Sequence, residues 1–255
     1  MTDSRGVGLQ KFLYELLPEG SKECTEVHIN SGKGYKVMRE KALALLPPPY
    51  RQRSRSHVYF VCGICDITEM FRSPTQNYKE TVMVLSPEAV FEKVAAEIND
   101  CRQAILKAGA LPIFATIPRI NLAIYNNYVL NHPKPEKRTS LLLHSKFYPD
   151  MQTRTNKAVD KINKFICETN RQLGNSIPFL HTDIMKRCGS NKTRVYYKYL
   201  WGLYYDGLHA DEDLKKKWAG TLSIAIGHNR SKDDEDVCLS PKRSWMHEEK
   251  RPRLK

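Results

Sequence analysis

A chain of 255 residues, 41% of them hydrophobic, can bury one sizeable core, and no run of roughly 18 apolar residues is present to cross a bilayer. Lys and Arg number 41 against 28 Asp and Glu, a formal net charge of +13. Such an excess attracts polyanions and leaves RNA, DNA and acidic membrane surfaces open as partners, beside a basic surface that binds nothing specifically.

Met1–Leu17 has no basic segment followed by an apolar stretch and a small-residue cleavage site, so a secretory signal is not expected. Within it, Leu9, Phe12, Leu13, Leu16 and Leu17 recur at helical spacing. A short strand is expected at Glu26–Asn30. Gly32 and Gly34 lead into a helix from Tyr35 to Leu46, stopped by Pro47, Pro48 and Pro49. His57–Cys62 is β-branched and aromatic and ends at Gly63, which predicts a buried parallel strand. Ser86 and Pro87 open a helix to Lys107, closed by Gly109, and Leu111–Ile117 is the next buried strand. A polar stretch over Pro118–Asp150 interrupts the alternation. A helix over Thr153–Leu173, a strand over Ile177–His181 and a final helix over Asp211–Ile226 complete it.

Strands alternating with helices of this length predict an α/β domain with a mainly parallel sheet, whose site lies at the carboxyl ends of the strands. The domain is expected to span 1–227. Residues 228–255 change to charged and polar composition and read as a disordered basic tail. Lys242, Arg243, Lys250, Arg251, Arg253 and Lys255 form clusters of the nuclear-localisation type, or a solvated tail. Seven scattered cysteines fit reduced thiols, so the expected location is nuclear or cytoplasmic.

Three segments fall at expected strand ends: Thr2–Gly6 with Ser4, Gly63–Asp66 with Cys65, and Asp206–His209. In order they resemble the blocks of the SGNH (GDSL-like) hydrolase family, over roughly Thr2 to Gly227. The resemblance implies a three-layer α/β/α, flavodoxin-like architecture and hydrolysis of an ester through an acyl-serine, with no cofactor or metal. It makes Ser4 the nucleophile, His209 the base and Asp206 its orienting acid. The Ser4 amide and Gly34 become oxyanion donors, and Cys65 stands where the family has an Asn amide. Similar domains also occur in proteins of eukaryotic mobile elements. Met1 stands three residues before Ser4, so the sheet is expected to lack the family's first, central strand, leaving Glu26–Asn30 and His57–Cys62 apart or closed onto each other.

The chemistry fits that assignment, since a serine hydroxyl needs an adjacent imidazole to take its proton and a carboxylate to orient the ring. Taken singly, Asp3 or Ser4 is also a helix cap, Asp206-Gly207 a turn and His209 a loop residue. The alternative function is an inactive SGNH-like nuclear binding module, with nucleic acid as a partner through its basic surface and a mobile-element origin. No single stripe of Lys and Arg interleaved with aromatics stands out. The aromatic run Val195–Tyr205 packs on the sheet and shapes the pocket beside Asp206, or stacks bases. Cys62 and Cys65 read as buried structural thiols, and Gly32-x-Gly34 as a turn without a phosphate loop's Lys-Ser/Thr. Arg5, Arg119 and Lys134 are candidates to line a site for an anionic substrate.

Overall fold

The computed structural model describes residues 1–47, 56–72, 79–82, 86–133, 148–190 and 194–239. The basic clusters at 242–255 and Lys134 lie outside them. Helices α1 (Leu9–Leu16), α2 (Glu19–Lys22) and α3 (Tyr35–Leu45) precede strand β1 (His57–Phe60). Then come α4 (Ile64–Ile67), β2 (Glu69–Arg72), β3 (Lys79–Val82), α5 (Pro87–Lys107) and β4 (Leu111–Phe114). Helices α6 (Leu122–Leu130) and α7 (Tyr148–Gln172), strands β5 (Met185–Cys188) and β6 (Tyr196–Tyr199), and helix α8 (Glu212–Leu239) follow.

The chain is a mixture of helix and strand, but its described strands do not join into one long sheet. They form three two-stranded sheets: β1 parallel to β4, β2 antiparallel to β3, and β5 antiparallel to β6. The β1–β4 pair is central. Val58 and Phe60 point into one apolar cluster with faces of α3, α5 and α7. Tyr59 and Val61 point into a second cluster with α1 and α8, around the buried Trp218. The period-two alternation of a strand buried on both faces accounts for this division.

Ser86 Oγ accepts the Ala89 N–H at 3.1 Å and caps α5 as expected. That helix then buries Val90, Val94, Ile98, Cys101 and Ile105, spaced three or four apart on one face.

Ile177–His181 does not form the expected strand. The outer edge of β4 is instead closed by asparagine amides. Asn170 both accepts from the Phe114 N–H (3.0 Å) and donates to its carbonyl (2.7 Å). Asn163 does the same for Ile117, and Asn175 donates to the Pro112 carbonyl at 2.8 Å. Pro112 fits here because its missing N–H faces that edge. Only Thr116 N–H to Pro178 O, 3.0 Å, resembles a strand pairing. Leu180–Thr182 turn into a 3-10 helix.

Three further expectations are corrected. Glu26–Asn30 is extended but pairs by a single bridge, Ile29 with Thr2. The stretch read as polar contains α6, capped by Asn121 Oδ1 on the Ile124 N–H at 3.0 Å. The final helix, expected to end at Ile226, runs on to Leu239 as α8. Asn229 on it is buried and its amide donates to Tyr59 Oη and Ser176 O. That bond anchors the helix beyond its expected end.

Thr2 pairs parallel with both Ile29 and Val61. Its N–H donates to His28 O and its carbonyl accepts from Asn30 N–H, both at 2.9 Å, while Val61 N–H donates to Met1 O at 2.8 Å. Residues 1–3 thus sit as a short central rung beside β1. Alongside that rung, towards the amino ends of the neighbouring strands, a cavity of about 500 Å³ opens between residues 26–28 and β1, flanked by Leu9 and Leu13 of α1, Ala42 of α3 and Leu222 of α8.

Candidate active site

The short rung delivers Ser4. Asp3 caps a 3-10 turn over Ser4–Gly6, its carboxylate accepting the Arg5 N–H at 3.0 Å. The Arg5 guanidinium returns to the same carboxylate, Nε at 3.2 Å from Oδ1 and Nη2 at 3.0 Å from Oδ2. Both side chains are buried, so each charge is compensated by the other and the turn is held from both sides. Ser4, between them, remains partly exposed.

The second arm comes from 205 residues away. Tyr205 N–H donates to His209 O at 3.1 Å, closing a loop over Asp206–His209. Asp206 is buried, and its Oδ1 accepts the N–H groups of Leu208 (2.9 Å) and His209 (2.7 Å). Gly207 takes φ +85°, and a Cβ there would press on Asn121 O and the Tyr125 amide, so this turn requires glycine. Gly207 O also accepts the Asn121 N–H at 2.8 Å, which moors the loop to the start of α6.

Inside that loop His209 Nδ1 lies 2.6 Å from Asp206 Oδ2, and His209 Nε2 lies 3.2 Å from Ser4 Oγ. Burial pushes the Asp206 carboxyl up, but the bonds from His209 and Leu208 outweigh it and hold it below the ordinary value. An ionised Asp206 fixes the Nδ1 proton and leaves Nε2 to accept from the serine. Ser4, His209 and Asp206 are therefore brought together as the sequence predicts.

Gly34 and Cys65 stand on neighbouring elements, and neither hydrogen-bonds to a triad side chain among the described residues. Gly34 is the N-cap of α3, and Asp66 accepts the Tyr35 N–H at 3.0 Å. A side chain at Gly34 would overlap the Asp66 carboxylate, so glycine is what allows that close approach. Burial pushes the Asp66 carboxyl up to about 6. Cys65, in the first turn of α4, has its thiol pushed up to about 11 by burial, and it remains a neutral, weak donor.

The aromatic run expected to shape the pocket beside Asp206 does so through Tyr205, and two tyrosines not singled out in the sequence join it. Tyr205 stacks on the His209 ring at 5.8 Å between centroids, Tyr125 lies 6.2 Å from it, and Tyr128 meets Tyr205 edge-on at 5.6 Å. They form an aromatic wall beside the imidazole. Tyr125 and Tyr128 belong to α6, whose existence the sequence reading missed. Of the residues proposed to line an anionic site, Arg5 is committed to Asp3, and Arg119 pairs with Asp160 and lies over the Tyr199 ring. Among the described residues no cluster of His, Cys, Asp or Glu is arranged to hold a metal.

No family model matches the sequence, and no curated protein matches it. Solved structures do. A GDSL-like lipase from Bacteroides thetaiotaomicron is 12% identical, with 91% of this chain and 86% of that one aligned at a TM-score of 0.51. A carbohydrate acetylesterase from Sinorhizobium meliloti is 9% identical over 87% of this chain and 85% of that one, at a TM-score of 0.45. The identities are low enough that the likeness speaks to architecture alone, and on that architecture the chain has an SGNH (GDSL-like) hydrolase fold.

Proposed function

We propose that the protein is an SGNH-like serine hydrolase that cleaves an ester, on a frame of three layers with helices on both sides of the β1–β4 pair. The observation that carries the proposal is the continuous chain Ser4 Oγ, His209 Nε2, His209 Nδ1, Asp206 Oδ2. In this reading Ser4 Oγ attacks the ester carbonyl carbon as its proton passes to His209 Nε2. The carbonyl oxygen becomes an oxyanion held by the backbone N–H groups of Ser4 and Gly34. Collapse breaks the C–O bond, and the alcohol leaves with the proton from His209. Water then attacks the acyl-serine with His209 again taking the proton, releasing the acid and restoring Ser4.

A second reading, an inactive nuclear binding module, is favoured by Cys65, whose half-buried thiol stands where the family has an amide donor. Loss of one oxyanion donor costs on the order of 10²–10³ in turnover. Hydrolysis of short-chain p-nitrophenyl esters separates the two. The enzyme reading expects turnover that falls on the order of 10³-fold or more in His209→Ala. Equal rates in the two proteins leave only the binding module. We further propose nuclear import through the clusters at 242–255. A fluorescent fusion then concentrates in nuclei and becomes diffuse when residues after Ser240 are deleted, and an unchanged distribution refutes it.

A further inference from the structure

The β5–β6 ribbon has a composition and a register that the hydrolase reading does not use. From Ile184 to Tyr205 the chain contains five Lys or Arg, five Tyr and no Asp or Glu. Pairing places Lys186 directly opposite Lys198 and Cys188 opposite Tyr196, so these four share one face. The other face carries Met185 opposite Tyr199 and Arg187 opposite Tyr197. Met185 and Tyr199 pack against the second apolar cluster, which turns the lysine face outward. Tyr196 is 59% exposed and Tyr197 57%, while Lys186, Lys198 and Arg194 are exposed as well.

For folding alone this arrangement is unfavourable. Like charges directly opposite on a ladder destabilise it, and two large rings are left in water. An anion between the lysines relieves the repulsion, because facing Cβ atoms on such a ladder are about 5 Å apart and two ammonium groups can grip one phosphate. A flat ring beside a phosphate-sized charge site is the pattern that receives a nucleotide, the base stacking on the tyrosine and the phosphate between the cations. A duplex has no unstacked base to offer Tyr196. A lipid surface would use the same charges and ring, so competition by anionic vesicles separates it from a strand.

We propose that the outward face of the β5–β6 ribbon, built on Lys186, Lys198, Arg194 and Tyr196, binds single-stranded nucleic acid. The surface is independent of the Ser4 site.

The test is fluorescence anisotropy of the full chain with a labelled 15-residue oligo(U) strand across a salt series. Lys186→Ser with Lys198→Ser is expected to reduce the slope of log affinity against log salt by about 1.4, since each released counterion contributes about 0.7 on a single strand. Tyr196→Ala is expected to weaken binding roughly 10-fold or more at every salt concentration with the slope unchanged. Ser4→Ala binds as the parent does. Ester turnover in the ribbon variants shows that they are folded, and where the parent is inactive an unchanged melting temperature serves. Binding that survives Tyr196→Ala, or that is as tight for duplex or heparin as for the single strand, overturns the proposal. So do anionic vesicles that compete with the strand at equal phosphate concentration, and no binding by the parent.

Discussion

The two ends of the β1–β4 pair are built differently. At the carboxyl end the Thr2–Gly6 turn, the Gly63–Asp66 turn and the Asp206–His209 loop converge, and most polar groups there answer another, with Arg5 Nη1 and the Tyr35 hydroxyl the buried exceptions among the described residues. Asp3 holds Arg5, Asp66 holds the Tyr35 amide, and Asp206 takes two backbone N–H groups together with the imidazole. At the amino end the same layers leave an open cavity of about 500 Å³, lined by Leu9, Leu13 and Leu222 together with polar residues such as Thr25, His28 and Arg230. The site is therefore fixed by many hydrogen bonds, while the opposite end of the layers is open. Polar bonds fix geometry, and dense packing supplies most of the stability. This protein is expected to hold its triad well and its fold only moderately.

The largest expected effect tests the tied end. Arg5→Leu leaves the Asp3 carboxylate buried without its partner, and losing one member of such a pair costs about 3–5 kcal/mol. Urea denaturation should show that loss, and ester turnover falls with it if the turn that carries Ser4 moves. A change below about 1 kcal/mol would show that the pair does not hold the turn.

The hollow end is sharpened by filling it. A four-residue apolar, β-branched extension ahead of Met1 can run beside β1 and residues 26–28. At about 0.8 kcal/mol for each buried CH₂, partial filling is expected to raise the melting temperature by several degrees, while a Gly-Ser extension of equal length does not. Equal melting temperatures for the two extensions would mean that the cavity cannot accept a strand.

Asp66 supplies a smaller, pH-dependent effect. Its folded carboxyl is raised to about 6, above the unfolded value of about 3.9. The folded state therefore binds the extra proton, and its contribution is fully present at low pH and lost as pH rises through 6. Asp206 has the opposite sign: its depressed carboxyl contributes stability above its unfolded value and loses it as pH falls. Asp66→Asn is expected to gain about 1–2 kcal/mol at pH 7.5 relative to pH 5. A parallel pH dependence in parent and variant would rule out Asp66 as the source.

Much of this was legible in the chain. Ser86, Pro87 and Gly109 mark α5 because capping chemistry is local. The meeting of Ser4, His209 and Asp206 is readable because each short block sits at a strand end that the hydrophobic runs predict. What escaped depends on partners distant in sequence. Asn163, Asn170 and Asn175 look like ordinary helix and turn residues until β4 presents its open edge to them. Ile177–His181 has the composition of a strand, but those amides already occupy the ladder it needed. Helix α6 is apolar on most sides, so it lacks the one-sided stripe that marks an amphipathic helix. The aromatic run over Val195–Tyr205 packs inward along only part of its length. Trp201 and Tyr204 pack inward against the second cluster, whereas Tyr196 and Tyr197 point into solvent. The basic stripe of the ribbon is invisible along the chain because it is assembled across two strands.

The central claim is that Ser4 is activated by His209 and Asp206, and covalent labelling tests it most directly. A fluorophosphonate probe should add to the intact protein once, with the adduct mapped by mass spectrometry to the peptide carrying Ser4. Labelling should disappear in Ser4→Ala and fall on the order of 10³-fold in rate in His209→Ala. An adduct on another residue, or a Ser4 no more reactive in the parent than in His209→Ala, would contradict the account.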